Sequence, residues 1–477
     1  MTTAGVDLHV VFIPFFISSH MIPLVSTARL FAARGVRSTI ITTVKNALIF
    51  KDSVDRDTAA GYDITVHTLN FPSSELGLPA GIENISSATT LKMADAVFRG
   101  MIMLQIPMQQ AIRHLAPDCI FSDMFFPWTV DLADELKIPR LMFYPTGFFY
   151  HSVSHSLRVY KPHEKVESES ESFVVPHLPD EITMKRSQMS EHFKTKTDFG
   201  EMLELIQQSE KRSYGLVYNT FYEIEPANAD HMKQIKDPTK VFHIGPLFQF
   251  FKGENNCNNN VLEKHECLRW LDGQKPHSVI YGCFGSIVRF PEAQITEIVL
   301  ALEESKQPFI WVAGKAGNEG TGGLPEGFEE RVKRENKGLI IKEWAPQVEI
   351  LQHPAVGGFL THCGWNSVLE AVVPGVPLYA ENFYTEKLVE LIGIGVRVGV
   401  DVWNPSFEIT SPIIGKQGII EAIKLLTGES AMAERIRQNS KELAVKTKKV
   451  VEEGGSSLNN LTALIHALKA VKLAAKP

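Results

Sequence analysis

Cysteine is scarce in this chain of 477 residues: Cys119, Cys257, Cys267, Cys283 and Cys363 are odd in number and scattered. That argues against a disulfide framework, and no Cys-x-x-Cys spacing offers a structural zinc site. Reduced thiols in the cytoplasm are the expected state. An excess of basic charge is also lacking. With 48 Lys and Arg against 55 Asp and Glu, the formal net charge is −7, so no broad positive field exists to attract nucleic acid or an anionic membrane. No apolar run reaches the ~18–20 residues that a membrane-spanning helix needs. The early run LHVVFIPFFI has Asp7 beside it and no basic residues before it, so it reads as a buried first strand rather than a signal-peptide core. No G-x-x-x-x-G-K-[ST] loop occurs, and the glycine-rich GKAGNEGTGG (314–323) reads as a mobile surface loop near a cleft. Two sequons, at Asn84 and Asn460, carry little meaning in a cytoplasmic chain.

What is present is a chain 44% hydrophobic and 22% charged, long enough to bury two cores. Short β-rich runs alternate with helical patterns in both halves. HVVFIPFF (9–16), STIITT (38–43), CIFSD (119–123) and PRLMFY (139–144) read as strands of the first half. SVIYGCF (278–284), FIWVA (309–313), LIIKE (339–343) and VGGFL (356–360) read as strands of the second. Continuous apolar strands between amphipathic helices predict parallel sheets covered on both faces. The expected fold is α/β, with two facing Rossmann-like, doubly wound domains and a cleft between them. Residues 1–245 form the first domain, 246–262 an Asn-rich linker and 263–455 the second. A C-terminal helix within 456–477 is expected to pack back on the first domain. EKVESESES (164–172) reads as a solvated loop.

Chemistry concentrates at THCGWNS (361–367), where a strand turns into a helix. The free N–H groups and the dipole at a helix start make an anion site suited to a pyrophosphate. Gly364 lets the backbone approach, Asn366 and Ser367 add donors, and His362 can donate to the same anion. Glu370 lies one turn beyond Asn366 on the same face, and a carboxylate can accept from two adjacent hydroxyls. Trp344 offers a flat face for stacking. Ser286, in the Phe-Gly-Ser turn after the 278–284 strand, is by itself an ordinary turn serine. Trp365 by itself is more often core than ligand contact. His20 follows the first strand, in the turn before a helix over 21–34, and Asp123 closes CIFSD. A histidine is suited to taking a hydroxyl proton at neutral pH, and a carboxylate on its other nitrogen fixes the tautomer. Their bland readings are a bystander loop histidine and an N-cap for the next helix.

Trp344, Gln347, His362, Gly364, Trp365, Asn366, Ser367 and Glu370 together resemble, position by position, the signature box of plant family-1 UDP-glycosyltransferases. The similarity extends to FIPFFISSHMIPLVSTARLFAARG, GLPAGIEN, CIFSDMFFPW, HIGPL, CFGS and GGSSLNNLTALI. The resemblance implies an inverting, metal-independent transferase with the GT-B architecture and His20 as base with Asp123 as its partner. It implies uracil stacking on Trp344, beside Ala345. Gln347 and Glu370 would hold the ribose, and Ser286, His362, Asn366 and Ser367 the diphosphate. The UDP-sugar is a co-substrate, so no cofactor is expected. No metal is expected either, because Asp55-Arg56-Asp57 lies in what reads as a charged loop, without the convergent oxygens of a hard-cation site.

Segments such as FSDMFFPWTVDLADELKIPR look most like the branch that glycosylates steroidal alkaloids and triterpenoids. A hydroxylated apolar acceptor of that class is expected, bound to a monomer, with flavonoids and other phenols as the alternative. MIMLQIPM (101–108) and YPTGFFY (144–150) are candidate pocket walls or plain core. His151 and His155, one helical turn apart, lack a partner to complete a metal site.

The box departs from the family near its end. The segment between Gly375 and Asn382 is about five residues short and lacks Trp-Pro, and an odd loss within a strand would reverse which side chains face the cleft. Glu381 and Asn382 take the places of the acidic-Gln pair that holds sugar hydroxyls. Glucose is the default sugar; galactose, a pentose, or weak activity in a UDP-sugar-binding homologue are the alternatives. An enzyme acting on the UDP-sugar alone, such as an epimerase or hydrolase, is a further reading.

Overall fold

Five consecutive buried residues, His9–Ile13 (β1), begin the first sheet. The computed structural model describes residues 5–237, 240–251, 265–285, 287–313, 323–380, 383–398, 402 and 413–475. Strands β2 (Arg37–Thr43), β3 (Ile64–Leu69), β4 (Cys119–Asp123) and β5 (Arg140–Tyr144) follow. A small antiparallel pair, β6 (Ser172–Val175) and β7 (Ile182–Lys185), stands apart. Strands β8 (Gly215–Tyr218) and β9 (Val241–His243) complete a parallel sheet of order β3-β2-β1-β4-β5-β8-β9. The second sheet contains β10 (Val279–Gly282), β11 (Phe309–Val312), β12 (Gly338–Ile341), β13 (Val356–Thr361), β14 (Leu378–Ala380) and β15 (Gly395–Arg397), in the order β12-β11-β10-β13-β14-β15. Strand pairs within both sheets are parallel, and residues of β1, β4, β5, β8 and β10 are buried throughout. This is why their sequences read as unbroken apolar runs rather than alternations.

Each sheet reverses direction of winding once, between β1 and β4 and between β10 and β13. At such a switch the following loops part, leaving a crevice outside the carboxyl ends of the strands. The helix Ser456–Ala474 returns to the first sheet. Its Leu461, Leu464, Ile465 and Leu468 join the core around β1, and Lys472 Nζ reaches Asp118 Oδ2 at 2.7 Å. Burying each such aliphatic side chain contributes about 1.5–3 kcal/mol. No helix among the described residues is long and apolar enough to cross a membrane.

Two local expectations are corrected and one open reading is decided. KDSVDRD is not a loop but most of the helix Lys51–Ala59, in which Asp57 is buried against Arg29 (Nε to Oδ2, 2.6 Å) and Asp55 pairs with Lys51. Positions two apart on a helix diverge, so these carboxylates cannot converge on one ion. His20 lies inside the first turn of the helix Ser18–Ala32 rather than in the preceding turn, because extended Ile17 already caps it and accepts His20 N at 3.0 Å. Of the two readings of YPTGFFY, the structure shows core: Tyr144 stacks on Tyr218 with centroids 4.8 Å apart, and Phe148 and Phe149 are buried.

The shortened segment keeps its strand. Phe359, Leu360 and Thr361 of β13 pair with Leu378, Tyr379 and Ala380 of β14, and two residues separate Ala380 from the helix Phe383–Leu391. Leu378 and Ala380 join one core cluster and Tyr379 the other, as strand alternation requires. Tyr379 lies over Gly358, where an added Cβ would come within 2.6 Å of its ring. Its hydroxyl is buried without a hydrogen-bond partner among the described residues. An orphaned hydroxyl costs about 1–3 kcal/mol, so Tyr379→Phe is expected to raise stability in urea unfolding; a loss of stability would show that the hydroxyl is satisfied.

Candidate active site

The β1/β4 switch holds a hydrogen-bonded pair. Asp123 ends β4 with its side chain fully buried, and its Oδ2 lies 2.8 Å from His20 Nδ1. Oδ1 accepts Phe125 N at 3.0 Å, so both carboxylate oxygens are occupied. The imidazole packs beside the Phe15–Phe125 pair, each ring with its centroid 5.6 Å away, and its side chain is 17% exposed. A carboxylate on Nδ1 leaves Nε2 as the proton acceptor. The entry to the helix that carries His20 is stapled from behind. Ile85 N donates to Phe16 O at 2.8 Å and Ser18 N to Ser86 Oγ at 3.1 Å. Asn84 is buried, with its amide bonded to Ser86 N and Asn46 Oδ1. Asn84 therefore has a structural task where its sequon suggested none.

Beyond Phe15 and Phe125 opens a cavity of about 360 Å³, lined also by Phe98, Met101, Ile102, Trp128 and Met202, with Gln105, Gln208 and Arg212 on its wall. The run 101–108 thus divides between functions: Met101 and Ile102 line the cavity, while Met108 is fully buried core.

The β10/β13 switch forms the opposing half. His362 follows β13, flanked by Gly285 and Gly364. A Cβ on Gly285 would come within 2.7 Å of its Cε1, and one on Gly364 within 2.5 Å of its Nε2. Gly285 has a φ of +74°, and Cys363 adopts a left-handed φ of +53° at the turn, a conformation non-glycine residues rarely adopt. The helix Trp365–Val372 starts here, with Gly364 as an N-cap that offers no side chain, so its first N–H groups stay open. Burial pushes His362 down to about 4, which keeps the imidazole neutral at physiological pH, and its Nδ1 has no hydrogen-bond partner among the described residues.

Behind this turn, Gln347 Nε2 donates to Glu370 Oε2 at 2.6 Å and Tyr281 OH to Gln347 Oε1 at 3.3 Å. Ser367 is buried next to them. Burial raises the Glu370 carboxyl to about 7, against the pull of the Gln347 bond. Trp344 is 76% exposed, an open aromatic face, and Ala345 packs against the core beneath. Ser286, Glu381 and Asn382 lie outside the described residues, as do 314–322 of the glycine-rich loop.

Two side chains of the box reach across the seam. Trp365 Nε1 donates to Asn219 O at 2.7 Å, and the Asn366 amide is engaged at both ends by the first domain. Sequence reasoning missed Asn219 and Glu225, because polar residues in a turn give no signal of what they face. Glu225 is buried at the start of the helix Phe148–Tyr160 and accepts Phe148 N at 2.8 Å and Phe149 N at 2.7 Å. His151 proves to be packing: it is buried, with Nδ1 3.0 Å from Tyr218 OH.

The sequence model of the UDP-glucoronosyl and UDP-glucosyl transferase family matches residues 100–399. The chain belongs to this family. The nuatigenin 3-beta-glucosyltransferase of Solanum aculeatissimum is 49% identical over 488 residues, covering 98% of each chain. The solanidine UDP-glucose glucosyltransferase 1 of Solanum tuberosum is 47% identical over 487 residues, again 98% of each. Among solved structures, Glycyrrhiza uralensis UGT73P12, complexed with glycyrrhetinic acid 3-O-monoglucuronide, superposes with a TM-score of 0.92 at 38% identity, covering 98% of this chain and 97% of that one. The fold of this UDP-glycosyltransferase is accordingly GT-B, with two Rossmann-like domains. Its donor is a UDP-sugar.

The ribose contact expected of Glu370 would carry a pH signature. Its ionised form is the one that accepts two hydroxyl protons, and below about 7 that form must first be made by losing a proton. UDP affinity, read by calorimetry, is therefore expected to fall by up to ~10-fold from pH 8 to pH 6. Glu370→Gln should flatten that slope; an unchanged slope in the variant removes Glu370 from nucleotide recognition.

Proposed function

We propose that this UDP-glycosyltransferase moves a hexose, glucose by default, from its UDP-sugar to a hydroxyl of a steroid or triterpenoid, with inversion. The observation that carries the reading is the His20–Asp123 pair, 2.8 Å apart at one sheet's switch point, beside an apolar cavity and opposite the helix start at the other. In the step, His20 Nε2 takes the acceptor's hydroxyl proton as its oxygen bonds to C1. The bond from C1 to the diphosphate oxygen breaks on the opposite face, and UDP leaves. Asp123 stabilises the imidazolium, and general-base help of this kind supplies about 10²–10⁴-fold. The negative charge on the leaving diphosphate is assigned to the helix start, with His362 as a neutral donor. No metal and no resident cofactor are assigned to the step.

Trp344 is assigned to the uracil, with Ala345 beside it, and Gln347 and Glu370 to the ribose. Ser286 and Ser367 are assigned to the diphosphate, and Glu381 and Asn382 to the sugar. In this division residues 1–245 bind the acceptor, 263–455 bind the donor and 246–262 join them. The acceptor class is supported by the apolar cavity and by relatives named for nuatigenin and solanidine. The enzyme is read as a cytoplasmic monomer, where its cysteines stay reduced.

Incubating the protein with a panel of UDP-sugars and with steroid, triterpenoid and phenolic acceptors names both substrates by mass shift. Products formed only from phenols would overturn the acceptor class, and sugar conversion without an acceptor would overturn transfer itself. His20→Ala is expected to lose transfer by at least ~10²-fold while UDP affinity is retained; substantial turnover in that variant removes His20 as the base.

A further inference from the structure

A hydrogen-bond relay joins the two domains, and it begins with a missing donor. Pro23 lies inside the Ser18–Ala32 helix and has no N–H, so the Ser19 carbonyl four residues earlier lacks its helical partner. A carbonyl left unbonded there would carry a desolvation cost. The partner comes from the other domain: Asn366 Nδ2 donates to Ser19 O at 2.7 Å. The same side chain's Oδ1 accepts from Asn219 Nδ2 at 3.2 Å, and Trp365 Nε1 donates to the Asn219 carbonyl at 2.7 Å. Asn219 Oδ1 in turn accepts Leu247 N at 3.3 Å, where the chain leaves the first sheet.

The seat is closely fitted. A Cβ on Gly245 would come within 2.7 Å of Asn219 Oδ1, and one on Gly147 within 2.8 Å of the Trp365 ring and 2.7 Å of Glu225 Oε1. One end of the relay adjoins His20, and Asn366 within it is the second residue of the helix assigned to the diphosphate. The amide of Asn366 is oriented by both neighbours, because rotating it would set its oxygen against the Ser19 carbonyl.

We infer that Asn219, resting on the transferase reading above, is a positioning residue for the transfer. Through Asn366 it fixes the donor helix relative to the helix that carries His20, and it keeps the seam closed to water. Misplacement by about 1 Å costs on the order of 10²-fold in rate. A loosened seam also lets water replace the acceptor. Its oxygen would bond to C1 and its proton would pass to His20, while the bond from C1 to the diphosphate breaks, giving free sugar and UDP.

The test is Asn219→Asp, which keeps an acceptor for Leu247 N but sets a carboxylate oxygen against Asn366 Oδ1; Asn219→Ala serves if the first fails to fold. The expected result is a kcat lower by about 10- to 100-fold with the Kd for UDP within about threefold, and a larger share of UDP-sugar hydrolysed rather than transferred. Hydrogen exchange at residues 17–24 should quicken, a readout that needs no turnover. Unchanged kcat, hydrolysis share and exchange would overturn the inference, as would a loss of UDP affinity equal to the loss of kcat. Absence of transfer by the unaltered enzyme with every sugar and acceptor would instead overturn the transferase reading, and the exchange measurement would still decide whether the relay holds the helix.

Discussion

Asp123 has no water to turn to. A buried carboxylate must be met by donors or lose its charge, and this one is met by the Phe125 N–H and the His20 ring. That requirement fixes the imidazole tautomer, and so which nitrogen remains to accept a proton. It also fixes where the imidazole stands, because β1 and β4 are neighbours only at the reversal of the first sheet. The aromatic walls around His20, the staple through Asn84 and the cavity beyond Phe15 are arranged about that one bond.

The second sheet meets its problem with the opposite sign of charge. The diphosphate is assigned to it, and what it offers is backbone N–H groups at a helix start and glycines that leave room for His362. Neutrality of that imidazole follows from burial, so it can act as a hydrogen-bond donor without competing as a base. Glu370 is the complementary case, a carboxyl whose crowding keeps its proton available near neutrality. Two titratable groups near one helix start are thereby driven apart by burial of the same kind, which disfavours whichever form is charged.

Much of this was legible before any coordinates. CIFSD matches a strand to the residue, because it is bounded by a clear change of period. THCGWNS announced a strand-to-helix turn through its glycine and its polar donors. Other readings failed for identifiable reasons. KDSVDRD looks like a loop because its charges hide a single buried face, formed only once Arg29 reaches Asp57. YPTGFFY stays open between pocket wall and core because aromatic residues suit both, and the packing of Tyr144 on Tyr218 decides for core. Trp365 and Asn366 sit in a donor motif, and nothing local shows that their side chains also bond to the other domain.

The sequence by itself determined the fold class, the family, and the residue types that gather at each strand end, since periodicity, turn chemistry and motif spacing are local properties of the chain. Only the tertiary structure decided what those residues face. The partner of His20 is 103 positions away and that of Ser19 is 347 away. Contacts of that span depend on which strands lie side by side and how two sheets meet, and no local pattern encodes them.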